Sequence, residues 1–515
     1  MDPSMRPTNQ IAGILAGLVL WTGVLTVAVA GTQPPPAGVS IVDAAATVEE
    51  QLAIAFSAVD DNDPTTTGIA LTTLMAHPDF DALPADIRHV TFSAAGWTAI
   101  QLSELARARD FYLAAINLSA NESHVWYQLA LLEFDLDNPE ASADRLLHLL
   151  QHWPELQEEL PDGYFAQLVR ELIPFPETRL TVLHALLARP WTLNGLGTSH
   201  FWHELALMQV ERGDTDAARA SIEHIDGPME LVMLRIDRRF DALVDPTLKR
   251  FDIQRAARLR SDDLRTKAML APERLDLLME LTYAMLAAGE ERQVLAMTDA
   301  ALAALSSTTV ESALFENIED QVWLMNNRAI ALRRLDRIDE ALVQMEIASG
   351  FSENGGANVS QALNLGRFYC SLGRFPEALA AISSVNDMSD YGRMVRAAVQ
   401  HCAMRRSGDA TGADEALAYL RDHSATAPSA LLQALLEANH LDEAAGTLAS
   451  LLESTETRLD TLVWVQRFRS LPPLPADHEY RSRREELLAR DDVIAAVERV
   501  GRIGQYDIHA RSALD

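Results

Sequence analysis

A helical pattern of apolar residues repeats along most of the chain, from about residue 45 to residue 460. Apolar side chains recur three and four positions apart over segments of about 12 to 15 residues, and tight turns join the segments in pairs. This spacing is typical of α-helices with one buried stripe. Because no stretch shows the sustained alternation of a β-strand, we predict no sheet. The chain is therefore expected to be all-α and built from helical hairpins.

The clearest unit contains five residue types in a fixed order: small, aromatic, turn, small and large apolar. They are Gly366, Tyr369, Gly373, Ala378 and Ile382. The order and spacing resemble the tetratricopeptide (TPR) repeat, whose positions 8, 11, 15, 20 and 24 they occupy. Small residues at positions 8 and 20 allow the two helices of a hairpin to cross closely. Glycine at position 15 ends the first helix, since it adopts positive φ at little cost.

Six further segments follow the same order with less fidelity. The position equivalent to Ala378 is occupied by Ala108, Ala143, Ala218, Val294, Ala341 and Ala444. These equivalences place repeat starts near 89, 124, 199, 275, 322, 359 and 425. The spacings of 75, 76 and 66 residues are close to two units, so degenerate repeats are expected between them. We predict a right-handed superhelical solenoid of about 10 to 12 TPR-like hairpins.

The N-terminus has the pattern of an export signal. Twenty uncharged residues, Ile11 to Ala30, end in Ala28-Val29-Ala30, the small-x-small pattern that signal peptidase cleaves. The same length also suits a membrane anchor. Both readings predict an exported protein, periplasmic or anchored to the cytoplasmic membrane and facing the periplasm. The predicted organisation is a signal peptide or anchor at 1–30, a Pro-rich linker at 31–44, TPR-like repeats at 45–225, an irregular basic segment at 226–272, TPR-like repeats at 273–460 and a C-terminal helical cap at 461–515.

Charge and cysteine content narrow the functional classes. The chain has 74 acidic and 43 basic residues, a net charge of −31, which disfavours binding to nucleic acid. The two cysteines, Cys370 and Cys402, fall on first helices of neighbouring repeats. Helix axes pack about 8 to 10 Å apart, beyond the ~7 Å Cα separation that a disulfide spans. We therefore predict two unpaired thiols.

One segment departs from the acidic trend. Arg235 to Lys267 contains ten basic residues and six aspartates. Two interpretations are open: the arginines dock onto neighbouring acidic helices, or they contact an anionic polymer such as a polysaccharide or a lipid headgroup surface.

Motifs for catalysis or cofactor binding are absent from the sequence. It contains no Gly-x-Ser-x-Gly, P-loop, His-Glu-x-x-His or kinase signature. His148 and His152 lie four apart on one helical face, but without a third ligand we interpret them as helix surface. We expect a non-enzymatic protein with no metal and no cofactor.

The TPR resemblance implies a partner-binding groove lined by positions 2, 5, 6, 9, 12 and 13 of the first helices. Two consecutive repeats, which start near 322 and 359, place polar, basic and aromatic side chains at these positions: Trp323, Asn327, Arg333, Arg334, Asn364 and Arg367. Asparagine at position 6 in this family often hydrogen-bonds the backbone of a bound peptide, and the arginines suit a carboxylate or acidic peptide. The alternative is that these arginines balance nearby acids on solvated faces.

The leading hypothesis is an exported scaffold that binds a peptide or protein in its concave groove, in the bacterial cell envelope. One alternative is a docking component of an envelope polysaccharide or secretion machine. Another is a helical-toroid enzyme, such as a polysaccharide lyase. The enzyme predicts a deep cleft with strongly perturbed His or Glu residues, whereas the scaffold predicts a shallow, continuous face.

Overall fold

The computed structural model describes residues 46–510, except 61–62, 190–191, 193–195, 308–314, 354–355 and 387. The predicted leader at 1–30 and linker at 31–44 lie outside the described residues. Within the described ranges, no helix has the length and apolar character needed to cross a membrane. The chain divides into two compact units, an N-terminal unit that ends at Asn194 and a C-terminal unit that begins at Gly195.

The N-terminal unit consists of helices that pack in consecutive pairs. Its helices are α1 Val48–Asp60, α2 Pro64–Met75, α3 Ala85–Gln101, α4 Leu105–Leu118, α5 Ser123–Asp135, α6 Pro139–His152, α7 Asp162–Glu171 and α8 Pro176–Leu187. Short 3₁₀ turns at Phe80–Ala82 and Pro154–Glu159 connect α2 to α3 and α6 to α7.

The C-terminal unit continues the pairing. Its helices are α9 Ser199–Glu211, α10 Thr215–Ile222, α11 Pro228–Ile236, α12 Ile253–Leu270, α13 Leu275–Ala288, α14 Glu291–Ser307, α15 Gln321–Arg334, α16 Ile338–Ser349, α17 Val359–Ser371, α18 Phe375–Ser383, α19 Asp390–Ser407, α20 Ala410–Asp422, α21 Pro428–Glu437, α22 Leu441–Glu453, α23 Arg458–Trp464, α24 His478–Leu488 and α25 Asp491–Val500. Three-residue 3₁₀ turns lie at Arg238–Phe240, Lys249–Phe251 and Ile318–Asp320.

The predicted all-α class, built from helical hairpins, is confirmed. The strands in the described residues are β1, Ser352–Glu353, and β2, Gly356–Ala357, which pair antiparallel over two residues each. The prediction of no sheet misses this small ladder, which is too short to show an alternating pattern. It lies between α16 and α17 and leaves the helical pairing on either side intact.

The helix crossings lie where the repeat pattern places them. All seven residues assigned to position 20 have no solvent exposure: Ala108, Ala143, Ala218, Val294, Ala341, Ala378 and Ala444. At the clearest crossing, a Cβ added to Gly366 would lie 2.6 Å from Cγ2 of Ile382, 3.3 Å from Cγ1 of Val399 and 3.4 Å from the carbonyl oxygen of Ala378. Glycine is therefore required for this approach of α17 to α18 and α19.

The turns between paired helices also follow the pattern. The predicted repeat starts place position 15 at residues 103, 138, 213, 289, 336, 373 and 439, and φ is positive at six of these: Ser103, Gly213, Gly289, Asp336, Gly373 and Asn439. In the remaining repeat the residue with positive φ is Asp137, at 61°, one position before the predicted Asn138. A single residue in the left-handed region reverses the chain, so α18 returns along α17 within a few residues.

Arginines of the basic segment at 226–272 pair with acids inside the segment and next to it. It contains α11, two 3₁₀ turns and the long helix α12. Arg239 pairs with Asp237 at 2.6 Å and also contacts Glu211. Arg250 contacts Glu223 and donates to the carbonyl of Ile222 at 2.8 Å. These arginines dock onto adjacent acids and carbonyls, as the first of the two interpretations expects.

The prediction of two unpaired thiols is wrong. Cys370 on α17 and Cys402 on α19 form a disulfide, with their Cα atoms 6.6 Å apart. The error came from using the separation of helix axes for the separation of Cα atoms. Each Cα lies about 2.3 Å from its helix axis, so two residues on facing sides approach closer than the axes do. The disulfide joins the first helices of two neighbouring repeats.

We expect Gly366→Ala to lower the free energy of unfolding by about 1–3 kcal/mol, because the new methyl group overpacks the crossing against Ile382. The matched control is Gly446→Ala on α22, where an added Cβ meets nothing within 4 Å. There, alanine should stabilise by up to about 1 kcal/mol through helix propensity. Urea unfolding of both variants measures the two effects. Equal effects at the two sites would contradict the close crossing.

The native protein, denatured without reductant, should contain no titratable thiol, and reduction should expose two. Replacing both cysteines by alanine removes a cross-link between residues 32 apart, which should cost about 2–4 kcal/mol. Thiol titration and urea unfolding are the measurements. Two free thiols before reduction would show that the helices do not meet at this point.

Candidate functional site

The candidate site lies on the first helices of the repeats in the C-terminal unit. These are α13, α15, α17, α19 and α21, and direct packing joins α13 to α15, α17 to α19 and α19 to α21. We call the side of these helices that carries Arg333, Arg367 and Arg406 the first-helix face. All six predicted partner-binding residues lie on two of its helices, α15 and α17.

Asn327 lies between two first helices. Its side chain is buried, and its amide nitrogen donates to the carbonyl of Met279 and to the hydroxyl of Thr282, each at 3.0 Å. Both acceptors lie on α13, so this asparagine joins α15 to the preceding first helix. Here the amide is bonded within the chain.

Arg333 and Arg334 are also bonded within the chain. Arg333 is 2% exposed and donates to the carbonyl of Pro472 at 2.5 Å. Arg334 donates to the carbonyl of Leu286 at 2.5 Å, in the last turn of α13, and lies 3.7 Å from Glu291. Burial lowers the pKa of Arg334 to about 10, and Glu291 opposes this effect. Both arginines use main-chain carbonyls as acceptors.

The other three predicted residues are partly open to solvent. Asn364 and Trp323 are half-buried, and the side chain of Asn364 is 3.4 Å from the amide oxygen of Asn326. Arg367 is half-buried, and its charge acts on Glu437 of α21. These three side chains form the accessible part of the predicted set.

The C-terminal part of the chain lies on the first-helix face. We call residues 471–477 the strap; it has the sequence Leu-Pro-Pro-Leu-Pro-Ala-Asp and forms neither helix nor strand. Besides the Arg333 bond to Pro472, the amide of Ala476 donates to the carbonyl of Ser371 at 3.0 Å. Arg406 on α19 donates to the carbonyl of Ala476 at 3.2 Å. The strap thus crosses α15, α17 and α19.

One strap side chain enters the core. Leu474 is 5% exposed and belongs to the apolar cluster that contains Leu332, Phe368 and Ala403. Burial of a leucine side chain contributes about 1.5–3 kcal/mol. Both neighbours of Leu474 in the chain are prolines; Pro473 is half-buried and Pro475 is exposed, as is Pro472. The strap therefore has one buried anchor between solvent-facing residues.

Residues beyond α25 cover the other end of the face. The amide of His509 donates to the carbonyl of Ala287 at 3.1 Å, at the end of α13. Upstream of the strap, Arg469 donates its amide to the carbonyl of Ile508 at 2.9 Å and pairs with Asp507 at 2.7 Å. The segments on either side of α24 and α25 therefore lie together on the face.

Glu437 is a buried acid where the strap ends. Burial raises the pKa of its carboxyl to about 7, and the nearby Asp477 adds to the increase. The hydrogen bond from Gln433 and the charges of Arg406 and Arg367 oppose it. Its second carboxyl oxygen, Oε2, has no hydrogen-bond partner within the described part of the chain. The protonated form of the acid fits this environment better than the ionised form.

Neither the strap nor Glu437 is among the site residues that the sequence predicts. The Pro-rich sequence signals only where the repeats end, because nothing local reveals which distant surface a segment packs on. Glu437 has no distinguishing sequence context, and two of the charges that act on its pKa, those of Asp477 and Arg406, are remote from it along the chain. A leucine flanked by prolines was the one available sign that this segment has a buried anchor.

The class of this protein follows from its helical hairpins and not from the comparisons with known proteins. No protein-family model matches the chain, and no curated protein matches it. The chain is similar to the structure of Naa15/Naa10 bound to HypK-THB, with 12% identity, coverage of 95% of this chain and 76% of that chain, and a TM-score of 0.26. It is also similar to a circular tandem repeat protein, with 13% identity, coverage of 94% and 98%, and a TM-score of 0.13. TM-scores this low support no conclusion about this chain. The hairpins described above define a helical-repeat protein.

The raised pKa of Glu437 predicts a pH-dependent stability. Because the folded chain holds this proton more tightly than the unfolded chain, the contribution of Glu437 to stability is fully present below about pH 4.5 and is lost as pH rises through about 7. Glu437→Gln removes this effect. The free energy of unfolding of the native chain, relative to that of the variant, should therefore fall by about 2–3 kcal/mol between pH 4.5 and 8. Urea unfolding of both proteins across this range measures it. A difference that stays constant, or rises with pH, would contradict the buried protonated acid.

Proposed function

We propose that this protein is a non-enzymatic helical-repeat scaffold that holds a peptide or protein partner on the first-helix face. The observation that carries the proposal is that this face already holds a segment of polypeptide, the strap. Arg333 and Arg406 donate to its carbonyls, and the leucine anchor occupies an apolar site. A surface that binds main-chain carbonyls and one apolar side chain has the chemistry of peptide recognition.

The proposal places the protein outside the cytoplasm, in the bacterial cell envelope. The apolar segment Ile11 to Ala30 has the pattern of a leader or anchor. The disulfide between Cys370 and Cys402 supports the same location, because disulfides persist in oxidising compartments.

Glu437 is the feature closest to what the enzyme alternative requires. Its pKa is raised to about 7, but the side chain is 6% exposed and lies beneath the end of the strap. A general acid or base must reach a substrate atom within about 2.6–3.2 Å. An enclosed carboxyl beside two arginines fits a structural acid better, so the scaffold remains the proposal.

Site-specific photo-crosslinking tests the proposed face. The full-length protein would carry p-benzoylphenylalanine in place of Trp323 on α15 and be irradiated in its native cells. The matched control places the same group at Val343 on α16, a second helix, where the native side chain is 53% exposed. We expect a discrete crosslinked partner from position 323 and none from position 343. Arg367→Ala should reduce the yield about tenfold, since one charge-assisted hydrogen bond is worth about 1.5–3 kcal/mol. If positions 323 and 343 gave the same crosslinked products, binding of the partner at the first-helix face would be contradicted.

A further inference from the structure

The strap and the surface beneath it have matched hydrogen-bonding chemistry. A guanidinium group offers only donors, and two of them, Arg333 and Arg406, donate to strap carbonyls. Proline has a carbonyl and no N–H, so the three prolines of the strap lack the donors that would need partners. The carbonyl of Pro472 accepts from Arg333, and the strap N–H that is bonded to the face, that of Ala476, donates to Ser371. The face therefore favours a segment rich in proline over one that brings unpaired N–H groups.

Proline also prepares such a segment for binding. Each proline has its φ fixed near −65°, and the residue before a proline is restricted to extended conformations. In the strap, Leu471, Pro472 and Leu474 each precede a proline. Little conformational entropy is then lost when the segment binds, which raises affinity without additional contacts.

The strap is more weakly held than the helices under it. It has no helical or strand hydrogen bonds, Pro472 and Pro475 are exposed, and Leu474 is the strap residue that is buried. By contrast, α17 is buried along most of its length, including Phe368 and Cys370. Segments with few buried contacts open locally at a lower free-energy cost than the core.

We infer that the strap is a resident competitor on the first-helix face, and that the partner presents an extended proline-containing segment with a leucine that replaces Leu474. This inference rests on the proposed function and specifies its ligand. Arg333, Arg406 and the carbonyl of Ser371 bind the main chain of either segment. Binding of the partner requires release of the strap, so the chain is closed to ligands that cannot displace it.

Rebinding of the strap in trans tests the inference. A fluorescent peptide of residues 467–480 is titrated into the full-length native chain and into the Leu474→Asp variant, whose own anchor is removed. We expect the variant to bind the peptide at least about tenfold more tightly than the native chain does, since its face is open. A peptide that itself carries Leu474→Asp is the control, and it should bind the variant at least about tenfold more weakly. A variant with native helicity that binds both peptides equally, or neither, would overturn the inference.

Hydrogen exchange on the unmodified full-length protein decides the case if Leu474→Asp does not fold. The amide of Ala476, which donates to Ser371, is compared with that of Leu372, which donates to Phe368 in α17. A strap that opens on its own should let Ala476 exchange at least about 100-fold faster than Leu372. Equal protection of the two amides would show that the strap leaves only when the unit unfolds, and would overturn the inference.

The two proposals fail in different ways. If the partner crosslinked at position 323 binds while Ala476 keeps its protection in the complex, the scaffold function stands and displacement of the strap is refuted. If the strap peptide rebinds in trans but no partner crosslinks at position 323, the proposed function fails, and the exchangeable strap remains as a property of the chain.

Discussion

Close approach of paired helices at small side chains is the constraint on which this structure depends. At Gly366 a single added carbon atom would meet Ile382 at 2.6 Å, and the seven residues at position 20 of the repeat are closed to solvent. Within the C-terminal unit, the first helices pack directly on one another at three places, α13 on α15, α17 on α19 and α19 on α21. A side-chain hydrogen bond from Asn364 to Asn326 links α17 to α15, and the five first helices together form a face that no single hairpin could form.

The first-helix face carries several arginines, although the chain as a whole is strongly acidic. The chain has a net charge of −31, yet Arg333, Arg334 and Arg406 all lie on this face. Arg334 donates to the last turn of α13, and Arg405 similarly donates to the carbonyl of Glu437 at 2.8 Å, at the end of α21. Helix C-termini have carbonyls without intrahelical partners, and arginines from adjacent helices satisfy them. The same chemistry holds the strap.

The structural features that recur along the chain could be predicted from the sequence, whereas those that occur once could not. Gly373 and Asn439 could be assigned to positive φ, and Ala378 to a helix crossing, because a repeated pattern gives several independent observations of one geometry. The disulfide and the strap occur once, and both depend on distances between residues remote in the chain. The prediction that Cys370 and Cys402 are unpaired was wrong because the sequence does not give the rotation of each helix about its axis. That rotation decides whether two Cα atoms face each other. The roles of Arg333 and Arg406 depend in the same way on where the chain returns after α23.

The strap lies on the first-helix face with its leucine in the core, and hydroxyl-radical footprinting of the native full-length chain is the direct test of this arrangement. Leu474 is 5% exposed and Leu270, at the end of α12, is 81% exposed, so the two leucines provide an internal comparison. The account predicts that Leu474 is oxidised at least about tenfold more slowly than Leu270, in keeping with its burial. Equal oxidation of the two leucines would mean that the strap lies elsewhere, and that the first-helix face is open.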